Sequence, residues 1–124
     1  MKISAEKVEE GHEDERRILR QIFNSNFSAR QLLTLETKVD CVVGGHYHEY
    51  EEIWYVLTGK LEYKLINIDT KEKQNVILYK DDKIRIPSRI YHEAYAEKGT
   101  IIIGVTEEEY VSDEKNNLKY NLQD

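Results

Sequence analysis

Apolar and polar residues alternate in short runs along most of this chain, and no long window keeps a helical period. Alternation with a period of two puts successive side chains on opposite faces of an extended backbone, so the pattern predicts strands. They are expected at Arg17–Phe23, Gln31–Val39, Val42–Tyr47, Ile53–Leu57, Lys60–Ile68, Asn75–Tyr79, Lys83–Ile86, His92–Ala96 and Thr100–Val105. Turn formers separate them at Asn24–Asn26, Thr58–Gly59, Asp69–Thr70, Asp81–Asp82 and Lys98–Gly99. The run LEYKLINI alternates in part, as a strand with one wet face does, whereas TIIIGV is uniformly apolar, as a strand covered on both sides would be. About nine short strands predict an all-β sandwich or barrel. The N-terminal EKVEEGHEDERRIL has room for one turn of helix. The acidic tail TEEEYVSDEKNNLKYNLQD is expected to pack along the outside or to finish as a short helix.

Length and charge narrow this picture. The 124 residues fit one domain with one core, and 40% hydrophobic residues are enough to build it. A net charge of −6 weighs against nucleic-acid binding by phosphate neutralisation. The lone cysteine, Cys41, allows no internal disulfide and reads as a small buried residue in a reducing compartment. The charged first twenty residues have no signal-peptide core, and no apolar run approaches the roughly 20 residues needed to cross a bilayer. A cytoplasmic protein is expected.

The chemistry concentrates in GGHYHEYEEIWYVLTG, which holds two of the chain's four histidines. On a strand, His46 and His48 point to one face, roughly 6.6–7 Å apart at Cα, and can converge on one ion. A reversal after the polar EYE would return the Glu52 carboxylate to the same place, and His92 follows KIRIPSRIY far along the chain. Three histidines and a carboxylate would leave open positions on an octahedral ion, as catalytic rather than structural sites do. Taken alone, two histidines on a strand face are more often polar surface, and Glu49, Glu51 and Glu52 read as a solvated charge run. His12, in a charged segment, reads as surface.

The joint spacing resembles the cupin superfamily. Its first motif, G-x5-H-x-H-x3-E-x6-G, fits from His46 through His48 and Glu52 to Gly59, with Asp40 at the leading glycine position. Gly44 and Gly45 stand ready to supply the bend. Its second motif, G-x5-P-x-G-x2-H-x3-N, fits at Pro87 and His92, while Asp81 and Arg89 take the glycine positions and Ala96 the asparagine position. The resemblance implies a double-stranded β-helix, a jelly-roll barrel, over residues 30–106. Residues 1–29 would form an extension with an edge strand at Arg17–Phe23, and residues 107–124 a tail packed on the barrel.

It also implies one divalent metal (Zn, Fe, Mn, Ni or Co) on His46, His48, Glu52 and His92, since imidazole and carboxylate do not select among these ions. Strand parity favours Glu52 over Glu49 or Glu51 as the acidic ligand. The same parity turns Trp54 and Val56 into the barrel and Tyr47 away from the ion. Tyr91 and Arg85 are the candidate catalytic side chains. Tyr91 could equally be packing, and Arg85 faces the pocket only if Ile84 and Ile86 do not. Three functions remain in view. The layout, with an early Asp14-Glu15-Arg16, is similar to small cupins of sugar-nucleotide and polysaccharide biosynthesis, which implies isomerase or epimerase chemistry. An iron or manganese dioxygenase and a non-catalytic binding barrel are the alternatives. Small cupins commonly pair, so a homodimer is expected, with no nucleic-acid or membrane partner.

Overall fold

The computed structural model describes residues 1–122. It contains β1 (Glu6–Lys7), β2 (Glu10–Glu13), β3 (Ile18–Arg20), β4 (Gln31–Glu36), β5 (Cys41–His46), β6 (Glu52–Thr58), β7 (Lys60–Asn67), β8 (Lys73–Tyr79), β9 (Asp82–Ile86), β10 (Ile90–Ala96), β11 (Ile101–Thr106) and the short helix α1 (Asp113–Asn116). A five-stranded sheet in the order β1-β9-β6-β11-β4 faces a four-stranded sheet in the order β5-β10-β7-β8, and β2 and β3 form a separate hairpin. The fold is all-β and of the jelly-roll type, with neighbouring strands antiparallel. Among the described residues, no helix is long and apolar enough to cross a membrane.

The period-two pattern explains which faces meet. On β7, Leu61, Tyr63 and Leu65 are buried while Glu62 and Lys64 are exposed. They pack with Val56, Leu78, Ile84, Ile86, Ala94 and Ile102 between the two large sheets. Each fully buried Leu or Ile contributes about 1.5–3 kcal/mol relative to leaving it in water. The outer face of β6 is buried as well, at Ile53 and Tyr55. The segment after β3 runs over it: Lys83 donates to the Ile22 carbonyl (2.7 Å), Arg85 donates to the Asn26 carbonyl (3.1 Å), and the Arg85 guanidinium lies over the Phe27 ring.

The N-terminus departs from expectation. It holds strands and no helical turn, and the strand expected at Arg17–Phe23 shortens to β3, which pairs with β2 and not with a barrel sheet. The cause is local turn chemistry at Asp14, whose carboxylate accepts from the backbone N–H groups of Arg16 (2.8 Å) and Arg17 (3.1 Å) and folds the chain back on itself. The strand added to the sheet edge is β1, paired with β9.

The two glycine positions of the second motif that this chain fills with other residues keep their backbone shape. Asp81 (φ 70°) and Arg89 (φ 64°) both lie in the left-handed region. Asp81 compensates by accepting from the Tyr55 hydroxyl at 2.6 Å, and Arg89 by a two-armed contact with Asp69 (2.9 Å each) and one with Glu49 (2.7 Å).

Candidate metal centre

Three strands deliver His46, His92 and Glu52 to one place, while His48, expected on the same strand as His46, lies just past the end of β5 in the stretch that leads to β6. His46 ends β5 directly across from His92 on β10, and the register shifts just beyond His92. Gly44 and Gly45 both have positive φ, at 83° and 90°, so β5 bends here and turns His46 inward. A Cβ at Gly44 would lie 2.9 Å from the His92 carbonyl, so the bend also needs the bare backbone. Glu52 opens β6, the first strand after the EYE reversal.

The ring centroids of His46, His48 and His92 are 4.7, 4.8 and 5.1 Å apart, and one ring nitrogen from each lies within 4.8 Å of the others. Glu52 Oε2 is 3.3 Å from His48 Nε2 and Oε1 is 3.2 Å from His92 Nε2. Glu52, His48 and His92 are buried, and His46 is partly buried.

The far side of two imidazoles is fixed. His48 Nδ1 donates to the Asn116 carbonyl at 2.6 Å, and His92 Nδ1 donates to the Ile90 carbonyl at 3.2 Å. A carbonyl can only accept, so each Nδ1 carries its proton and each neutral ring offers its Nε2 lone pair to the centre. His48 is also stacked on Tyr50, with centroids 4.7 Å apart and planes at 14°.

Electrostatics follow from this packing. Burial, helped by His92 and His48, pushes His46 down to about 4. Burial also lowers His92, against the opposing pull of Glu52. For His48, burial is outweighed by the hydrogen bond and charge of Glu52 together with the Asn116 carbonyl, so it is held above the usual value. For Glu52, burial is outweighed by His92 and His48, so its carboxyl is held well below the usual carboxylate range.

A divalent cation fits this set. Glu52 Oε1 is buried and has no hydrogen-bond partner although His92 Nε2 is near, because neutral His92 turns a lone pair, not a proton, toward it. A cation among these atoms would satisfy both lone pairs, and imidazole with carboxylate is a donor set for Zn, Fe, Mn, Ni or Co. Metal uptake should then displace the proton from His48 Nε2. Because the Glu52 carboxylate and the Asn116 carbonyl raise the His48 pKa, ion and proton compete for Nε2, and affinity should fall as pH drops. Calorimetry in buffers of different ionisation enthalpy is expected to show proton release on ion uptake that grows as the pH is lowered. The release should vanish in His48→Ala, and uptake without proton release by the wild type would contradict this.

The cluster lines a cavity of about 270 Å3. Leu33, Leu35, Val43, Trp54, Tyr63 and Ile102 form its apolar walls, with Gln31, Tyr50, Tyr110 and Asn117 adding polar groups. Trp54 thus faces inward as expected. Val56, of the same parity, lies deeper in the packed core and does not line the cavity. Tyr47 turns away, beneath the Arg89 guanidinium and bridged to Leu118.

Neither candidate catalytic side chain lines the cavity. Ile84 and Ile86 are buried, so strand parity turns Arg85 outward, where it pairs with Glu51 at 2.6 Å. Tyr91 is buried between the Glu93 carboxylate and the Tyr120 ring. Cys41 is only partly buried. His12 is exposed beside Asp14 at 3.0 Å.

Several site residues carried no signal in the chain. Asn116 and Tyr110 come from the tail, far from either motif, and meet the site only through tertiary packing. Tyr50 was accessible in principle, since it lies two residues beyond His48 inside the first motif.

With the double-stranded barrel and its His-Glu cluster in place, the comparison with known proteins is direct. The family described as "Cupin domain" matches residues 35–110, and the chain belongs to that family. Among solved structures, it is similar to a TDP-fucose-3,4-ketoisomerase from Campylobacter jejuni, with a TM-score of 0.76 at 20% identity, over 93% of this chain and 87% of that one. It is also similar to a 3,4-ketoisomerase from Helicobacter canadensis (TM-score 0.78, 19% identity, 92% and 89% covered). A dTDP-4-dehydrorhamnose 3,5-epimerase from Bacillus anthracis, with TDP and pyrophosphate bound, superimposes with a TM-score of 0.77 at 14% identity, over 94% of this chain and 78% of that one. At these identities the likeness is one of fold. No curated protein matches the chain in sequence.

Proposed function

We propose that this cupin holds one divalent metal on His46, His48, Glu52 and His92 and uses it on a small molecule in the barrel. The proposed chemistry is isomerisation or epimerisation of a sugar or nucleotide-linked sugar. The orphaned Glu52 oxygen among three converging imidazoles, in the lining of a cavity, carries the metal reading. The fold shared with sugar-nucleotide ketoisomerases and an epimerase supports the reaction class. A bound ion would polarise a substrate carbonyl oxygen, which acidifies the hydrogen on the neighbouring carbon. The chain's own residues shape the space around the substrate. Leu33, Leu35, Trp54 and Ile102 exclude water around the reacting carbons, and Gln31, Tyr50 and Asn117 offer hydrogen bonds that orient hydroxyl groups.

The test is proton exchange. Protein loaded in turn with Zn, Mn, Fe, Co and Ni would be incubated in D2O with TDP-4-keto-6-deoxyglucose, the ligand of a solved 3,4-ketoisomerase of similar fold. Metal-dependent deuterium uptake next to the carbonyl, followed by NMR and with no dioxygen consumed, is expected. Dioxygen uptake by the iron form would overturn the isomerase reading in favour of an oxygenase.

Pairing of two copies is part of the same proposal. The strand β4 ends its sheet with Leu32 exposed to 71%, and β5 ends the other sheet with Val42 exposed to 61%. Open edges with exposed apolar side chains favour self-association. A monomeric mass by light scattering at micromolar concentration would contradict it.

A further inference from the structure

We propose that Asn116 is a positioning residue, and that the tail it organises decides which nitrogen of His48 faces the site. Asn116 is buried, and its side chain binds the segment around it and the Tyr50 hydroxyl. Its Nδ2 donates to the Glu109 carbonyl (3.0 Å) and the Tyr50 hydroxyl (3.1 Å), and its Oδ1 accepts from the N–H groups of Val111 (2.7 Å) and Ser112 (3.1 Å). Its own N–H donates to the Ser112 carbonyl at 2.9 Å. These bonds close residues 109–116 into one turn and leave the Asn116 carbonyl aimed at His48 Nδ1. Two residues on, Leu118 and Tyr47 exchange backbone hydrogen bonds of 2.9 and 3.0 Å, which ties the tail to the neighbour of His48. The ring of His48 is therefore held by the Asn116 carbonyl on one side, Tyr50 on its face and Glu52 on the other side.

The chemical consequence is a choice of tautomer. Protonated His48 has an acceptor at each nitrogen and donates to both. When it loses a proton, to base or to an incoming ion, either nitrogen could give it up. The Asn116 carbonyl, at 2.6 Å, keeps the Nδ1 proton, so the Nε2 proton leaves and the lone pair faces Glu52 and the other imidazoles. Without that carbonyl, the remaining acceptor is the Glu52 carboxylate, and a charge-assisted bond to it would retain the Nε2 proton instead. An ion would then compete with that bond at His48. The tail thus sets the ligand geometry of the barrel from outside it.

Two variants loosen the carbonyl without altering His48. Asn116→Ala removes the side-chain bonds that shape the turn, and Leu118→Pro removes the N–H that Tyr47 accepts. Nitrogen-15 NMR of the histidine rings reads the tautomer directly in metal-free protein, at a pH above the titration of His48. The wild type is expected to show the Nδ1–H form, and both variants a shift toward Nε2–H. The effect on metal rests on the reading of the site given above, and cobalt(II) titration followed by its visible spectrum measures it. Affinity is expected to fall about 10–100-fold in the variants, the usual cost of losing a partner behind a metal ligand. An Nε2–H wild type, or variants that keep both the Nδ1–H form and wild-type cobalt affinity, would overturn the proposal. A tautomer switch in protein that binds no cobalt would uphold the positioning role and overturn the metal reading alone.

Discussion

Glu52→Gln is expected to lower divalent-metal affinity by more than about 100-fold, beyond the 10–100-fold that loss of a hydrogen-bond partner behind a ligand costs. The carboxamide keeps the size of the side chain but removes the one anion among the converging groups, and Glu52 is 2% exposed, so the buried histidines lose their negative partner. Metal binding stabilises a fold by RT ln(1 + [L]/Kd), so a hundredfold weaker site forfeits about 2.7 kcal/mol of metal-induced stabilisation at saturating ion. Melting with and without added zinc is the measurement. The wild type should gain markedly from zinc and Glu52→Gln very little. The metal-free variant also tests the electrostatics. Removal of the anion leaves His48 without the partner that holds its pKa up, so its titration should move below the wild-type value. Equal zinc-induced gains in the two proteins would remove Glu52 from the ligand set.

Gly59→Ala is expected to be the most damaging small substitution in the barrel. Gly59 sits between β6 and β7 with φ at 97°, and an added Cβ would lie 2.3 Å from Thr100 Oγ1 and 2.6 Å from Thr100 Cα. The backbone atom cannot swing aside, and Thr100 is itself fully buried and bonded to Lys60 and Thr37. Positive φ costs an L-residue roughly 1–2 kcal/mol, and overpacking typically adds about 1–3 kcal/mol. A total near 3 kcal/mol should lower the melting temperature by about 10 °C. Metal affinity of the folded fraction should stay close to wild type, because Gly59 touches no proposed ligand. A melting temperature within a degree or two of wild type would show that the β6–β7 turn is softer than its geometry implies.

These two residues also show what the chain reveals by itself. Both belong to the first cupin motif, where local spacing mirrors local geometry: His46, His48, Glu52 and Gly59 are legible because one bend and one strand reversal place them. The barrel strands were legible for the same reason, as alternation maps directly onto inner and outer faces on β7. Strand ends were less so. Thr37 ends β4 early by giving its backbone and hydroxyl to Glu97, Gly99 and Thr100, partners about sixty positions away. The N-terminal hairpin was missed because one carboxylate, Asp14, organises it, and an acidic run looks the same whether or not it turns. The hold of Asn116 on His48 spans 68 positions and uses a backbone carbonyl, which no residue type advertises. Arg85 was decided by parity alone once the burial of Ile84 and Ile86 was known.

Anomalous diffraction from crystals loaded with cobalt(II) tests the metal centre most directly. One strong peak is expected about 2.0–2.2 Å from a ring nitrogen of each of His46, His48 and His92 and from a carboxylate oxygen of Glu52. A peak elsewhere, or none while Glu52 remains paired only with His48 and His92, would contradict the metal centre and leave a buried ion-pair cluster in its place.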